Sequence, residues 1–255
     1  MVGPVKGLEE GAVMTHDAGF VARLMAHILE GVDIPKVQIE RVVGPILGFF
    51  IDRVLTATLA DDPELAGDYV MLCPEFPLKK AGNNQSTNID WLLFNRTRQA
   101  LVLLELKTTD TTFSVEQAEG YLEKKALINR EGGAALLDDL LLIADASAES
   151  GKYKRVHELI AERCPDGLQG FAACRRAHVM YLVPEIVKSA RKSRWEGVDR
   201  VLSFGDLAQE IPAPFVEEWH VIHAALKVLD TRTRRQRNGQ QDVSTSMASR
   251  GARLG

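Results

Sequence analysis

The chain has 255 residues, 45% hydrophobic and 26% charged, with a formal net charge of −4. That is an ordinary globular composition, long enough for one large core, and no apolar run approaches the roughly 20 residues of a membrane-spanning helix. The N-terminus (Met1-Val2-Gly3-Pro4-Val5-Lys6) carries no signal-peptide pattern, so the expectation is a cytoplasmic protein without a membrane partner. Three cysteines, Cys73, Cys164 and Cys174, match no zinc spacing, and their odd number argues against a disulfide framework. Charge is unevenly spread. Residues 231–255 hold six Arg and one Asp, net +5, which leaves 25 basic and 34 acidic residues in 1–230, net −9. A body this acidic is not a general nucleic-acid sponge, so any such contact must come from a local groove or from the tail.

In chain order, residues 1–15 are Gly-rich and expected to be loose. Phe20, Val21, Leu24, Met25, Ile28 and Leu29 repeat at helical spacing from Asp17 to Glu30, with Gly31 as a stop. A second helix is predicted from Pro35 to Leu59, kinked or divided at Gly44-Pro45. The period then changes. Tyr69 to Cys73 and Phe76 to Leu78 read as extended, and Ala81 to Asn88 as a polar turn. Strands are predicted over 89–94 and 100–107, joined by a turn at Asn95 to Gln99. Ser114 begins a helix and forms a capping-box pattern with Gln117. Helices follow at 134–145 and 152–163, a strand at His178 to Val183, another over Val198 to Phe204, and a last helix at 215–229. Beyond Asp230 the Arg-, Ser- and Gly-rich composition predicts disorder. The chain has no internal repeat and no Gly-x-x-x-x-Gly-Lys-[Ser/Thr] phosphate loop.

The chemistry concentrates in one stretch. Asp90 lies near the start of the first apolar strand, and Glu105-Leu106-Lys107 closes the second. Residues i and i+2 of a strand share a face, so Glu105 and Lys107 project together. A hairpin partner can bring Asp90 beside them. Two converging carboxylates repel unless a cation joins them, and hard oxygen ligands suit magnesium, with manganese as the alternative. A neighbouring lysine can position water or stabilise developing phosphate charge. Glu-x-Lys alone is weak, arising by chance about once in a chain of this size. Glu123-Lys124-Lys125 is such a decoy, on a predicted helix where i and i+2 diverge. His220 and His223 could share a helix face, but no carboxylate or cysteine cluster stands beside them.

Strand placement, Asp90 one hairpin earlier, and Gln117 and Tyr121 one helix later together resemble the PD-(D/E)xK, or restriction-endonuclease-like, nuclease superfamily. Gln117-Ala-Glu-Gly-Tyr121 resembles the QxxxY helix of its exonuclease and repair-nuclease branch, and the resemblance as a whole covers roughly residues 35–125, with a later core strand at 178–183. Ile89 stands where the pattern has proline. The resemblance implies an α/β/α sandwich around a mixed four-stranded or slightly larger sheet. The core would span about 35–125 and 176–205, with a helical insertion at about 126–175, in one domain of residues 1–230 followed by a basic tail at 231–255. It implies a magnesium-dependent deoxyribonuclease, with Asp90 and Glu105 as metal ligands, Lys107 as the catalytic lysine, and Gln117 and Tyr121 organising the site or the DNA. Glu40, heading the helical stripe Glu40, Gly44, Leu47, Ile51, Val54 and Thr58, is the candidate further acid, with Glu75 second. RNA is an alternative substrate. A silent nuclease-fold module that binds nucleic acid or a protein partner is the alternative function; besides nucleic acid, the candidate partners are another protein or, as a homo-oligomer, a second copy of the chain. Lys124 and Lys125, and the tail's Arg232, Arg234, Arg235 and Arg237, are candidate phosphate contacts.

Overall fold

The computed structural model describes residues 17–31, 38–80, 86–109, 113–147, 150–190 and 195–230. The loose N-terminal segment, the Pro35 helix start and the basic tail with its arginines lie outside those residues. Two helices, α1 (Asp17–Gly31) and α2 (Ile39–Thr58), precede a hairpin-rich segment of β1 (Tyr69–Lys79), β2 (Ser86–Asn95) and β3 (Ala100–Leu106). Four helices follow, α3 (Val115–Glu131), α4 (Ala134–Ala146), α5 (Ser150–Arg163) and α6 (Gly167–Ala173). Then come β4 (Ala177–Val183), α7 (Glu185–Ala190) and β5 (Arg200–Ser203), and α8 over 216–230. The five strands form one mixed sheet in the order β1-β2-β3-β4-β5, antiparallel through β3 and parallel from β3 to β5.

Helices cover both faces because both faces of the central strands are apolar. All seven residues of β3 are buried, the pattern of a strand sandwiched between layers. Val102, Leu104 and Leu106 join the core under α2 and α8. Leu101 and Leu103 join the opposite core, under α3 to α6. Residues 126–175 contribute Ile128, Leu136, Ile160 and Phe171 to that second core.

Several expectations are corrected. The two extended pieces at 69–78 are one strand, kept continuous by a bulge between Met71 and Cys73. Residues 86–88 are strand rather than turn, because β1 is long enough to pair Lys79 with Ser86. The five-stranded sheet falls within the expected size, its last strand, Arg200–Ser203, lying inside the strand expected over 198–204 and pairing in parallel with β4. The short helices α6 and α7 had no legible period. Gly44-Pro45 does not divide α2. Arg41 and Pro45 are both exposed, so the carbonyl that loses its i+4 donor has access to water, and a proline there costs less than in a buried helix. No helix among the described residues is long and apolar enough to cross a membrane.

Candidate active site

The β2–β3 ladder runs from Asn95–Ala100 to Trp91–Leu104 and stops. On either side of Asp90, β2 is paired with β1 through Pro74–Trp91 and Phe76–Ile89, while Asp90 turns its carboxylate across the gap and Oδ2 accepts the Leu106 N–H at 2.6 Å. A side chain thus replaces a ladder bond where two strands part. β3 continues its parallel pairing with β4, and Lys107 N–H donates to Leu182 O at 2.9 Å. Glu105 and Lys107 are therefore held on a strand end fixed from both sides.

Glu105 is 2% exposed and accepts from three side chains. The Lys107 ammonium donates to Oε1. Gln117 Nε2 donates to the same oxygen at 3.0 Å. The Tyr121 hydroxyl lies 2.8 Å from Oε2 and 3.0 Å from the Asn88 carbonyl, with one proton to give between them. Gln117 also sits 2.5 Å from the Tyr121 hydroxyl. Only half of the expected capping box forms. Gln117 N–H donates to Ser114 Oγ at 3.2 Å, but the Gln117 side chain goes to Glu105 and Tyr121. The i,i+4 spacing on α3 makes that reach possible.

α2 supplies the other wall. Glu40, Gly44 and Gly48 follow one another at i,i+4 and line a cleft of about 820 Å³ with Asp90, Glu105 and Lys107. A Cβ at Gly48 would lie 2.8 Å from Trp91 Nε1, so glycine is what lets the helix lie this close to β2. Glu40 Oε2 is buried without a hydrogen-bond partner, and its charge acts on both Asp90 and Lys107. Glu75, with φ 50, stands at the exposed rim, Oε2 accepting from Asn88 Nδ2 at 3.4 Å.

Burial, and after it the charge of Glu105, pushes the Asp90 carboxyl up to about 8. Burial also raises Glu105, opposed chiefly by Lys107. Burial lowers Lys107, but Glu105, Glu40 and Asp90 together outweigh it and hold the ammonium above its ordinary value. Burial and Glu105 raise Tyr121, keeping it a neutral donor.

An all-oxygen donor set under mutual repulsion, with one buried oxygen left without a partner, fits a hard divalent cation. Among the described residues no group of three or more acidic, histidine or cysteine side chains forms a ready-made cage. Magnesium is commonly held by one or two carboxylates and its own waters.

Sequence reasoning missed Tyr181. It pairs with Glu105 across the β3–β4 ladder, is buried, and its hydroxyl has no partner. Burial and then Glu105 raise it. In the sequence it is one more ring in an apolar strand. The other candidates lie elsewhere. Lys124 is ion-paired to Asp139, and Lys125 to Asp199 at 2.6 Å, so both fasten α3 to its neighbours. His223 is buried and stacks on Trp219, while His220 reaches Glu210 at 3.1 Å. Their two rings serve packing and a surface pair.

No protein-family model, no curated protein and no solved structure matches the chain.

Proposed function

We propose that this chain is a magnesium-dependent DNA nuclease of the PD-(D/E)xK type, with a restriction-endonuclease-like core, hydrolysing phosphodiester bonds. One observation carries the reading: Glu40 from α2, Asp90 from β2, Glu105 from β3 with Lys107 just past its end, and Gln117 from α3 line one cleft. Carboxylates forced together beside a lysine are costly to bury, and metal-assisted phosphodiester chemistry uses that combination.

Asp90 and Glu105 would hold the cation, with Glu40 able to contribute an oxygen. When bound, such an ion supplies a Lewis acid for the phosphoryl oxygen and a more acidic water. Lys107, charged and anchored on Glu105, orients the attacking water or stabilises charge gathering on the phosphate. Gln117 and Tyr121 are positioning residues, since they act on Glu105. The Leu106 N–H does the same for Asp90.

The test is cleavage of linear duplex, nicked and single-stranded DNA, with an RNA arm, in magnesium or manganese. Asp90→Asn keeps an acceptor for Leu106 N–H and so isolates the chemistry. That variant and Lys107→Ala should each lose about 100-fold or more in rate. Wild type and both variants cleaving equally would sink the assignment. No cleavage and no calorimetric heat with manganese would point to a non-cutting binding module.

A further inference from the structure

The cleft has a feature the hydrolytic chemistry does not use. Arg41, Pro45, Phe49 and Arg53 follow one another at i,i+4 along α2, and the first three line the same cleft as the carboxylates. Phe49 is 54% exposed, yet it is not a loose surface ring. Phe50 meets it edge-on at 4.9 Å between centroids, and Phe215 packs at 5.3 Å. The Arg53 guanidinium sits 5.8 Å from the Phe49 centroid and 5.7 Å from that of Phe215. Arg53 is itself pinned, donating from Nη1 to the Pro214 carbonyl at 2.8 Å. Phe215 has φ 73, a left-handed conformation that a bulky residue adopts only when its surroundings impose it. The result is a half-exposed aromatic ring held by Phe50, Phe215 and the Arg53 cation, with a second cation, Arg41, two turns earlier on α2 lining the same cleft.

We propose that Phe49 is a stacking platform for an unpaired base, and that the substrate class of the proposed nuclease is single-stranded or frayed DNA. This rests on the nuclease reading for its catalytic part only. A duplex presents phosphates and groove edges to a protein, and its base faces are hidden. An unpaired strand offers a π-face for Phe49 and phosphates for Arg41 and Arg53, the pairing used in sequence-tolerant single-strand binding. Nine helical steps carry the chain from Glu40 to Phe49, about 13 Å along α2. That rise corresponds to about four stacked-base steps, and Phe49 lines the same cleft as the carboxylates. Because the ring is already ordered, binding forfeits little side-chain freedom.

The experiment is equilibrium binding of the full chain in EDTA to a single-stranded oligonucleotide carrying 2-aminopurine, with a blunt duplex and a single-stranded RNA alongside. Wild type should prefer the single DNA strand and alter the 2-aminopurine fluorescence. Phe49→Ala should weaken that binding roughly 5- to 100-fold and abolish the fluorescence change, with duplex binding unmoved. Phe49→Trp should retain both, and Phe49→Leu, which keeps apolar area without a π-face, should behave like alanine. Equal single-strand affinity of wild type and Phe49→Ala, or full retention by Phe49→Leu, overturns the platform. Tighter binding of RNA than of DNA overturns the substrate class. The outcome stands apart from catalysis. Phe49-dependent binding by a chain that cuts nothing would remove the nuclease and keep the platform. Cleavage with Phe49→Ala binding unchanged would do the reverse.

Discussion

Glu105 and Lys107 are 2% and 6% exposed, so neither can exchange its partner for water. Removing the cation strands a buried carboxylate. Lys107→Met should cost about 3 kcal/mol, the low end for breaking a buried pair, because Gln117 and Tyr121 still donate to Glu105. Adding Glu105→Gln should recover most of that loss. Urea denaturation of the two singles and the double measures the coupling, and simple additivity would mean the two side chains do not act as a pair. Asp90 gives a pH signature. Its folded-state value, near 8, lies above its ordinary 3.8 because of burial first and Glu105 second. Between those values the folded protein holds a proton that the unfolded chain releases, so stability falls as pH rises through that window. Thermal melts without divalent cation should therefore decline from pH 4 toward pH 8, and Asp90→Asn should flatten the slope. A melting temperature that climbs through this range in the wild type only would contradict the assignment.

α2 and α3 play opposite parts around the sheet. α3 is fastened by charge: Lys125 to Asp199 and Lys124 to Asp139. Asp199 also accepts from Val179 N–H at 2.7 Å, and though burial opposes ionisation, these partners and His178 hold it down near 2. α2 is fastened by close approach. Gly48→Ala would drive a methyl against the Trp91 indole and should cost about 1–3 kcal/mol while lifting Glu40 off the site and slowing cleavage. Gly120→Ala on α3 meets nothing within 4 Å and should stabilise by up to about 1 kcal/mol through helix propensity. Thermal melts of the pair should move in opposite directions; a shift of the same sign in both would refute the close-approach account.

For the molecule as a whole, manganese at about 100 times its dissociation constant should raise stability by about 2.7 kcal/mol, read as a rise in melting temperature. EDTA should reverse the rise and Asp90→Asn should abolish it. The expected elements around the site were legible because their signals are local: a long apolar run for β3 and a serine cap for α3. β1 was legible only as two extended pieces, because Pro74 and Pro77 mask a strand whose continuity comes from pairing with β2. β5 was legible as a strand over 198–204, and its pairing with β4 sets its four-residue extent. Gln117 was read both as a cap and as a site residue. Its backbone takes the first role and its side chain the second. Glu40 was visible as the head of a stripe, but nothing in the letters says that Gly44 and Gly48 bring that helix onto the site. Phe49 was invisible because exposure is a property of packing.

The Asp90–Leu106 hydrogen bond has a consequence for how this position tolerates change. Wherever β2 and β3 part, some acceptor must meet that N–H, so residue 90 answers to two requirements at once. A library randomised at 90 and sorted for folded protein should be enriched in Asp and Asn. The same library sorted for cleavage should retain Asp alone. An asparagine at position 90 would therefore mark the architecture's demand for an acceptor, and an aspartate alone the demand of the proposed chemistry.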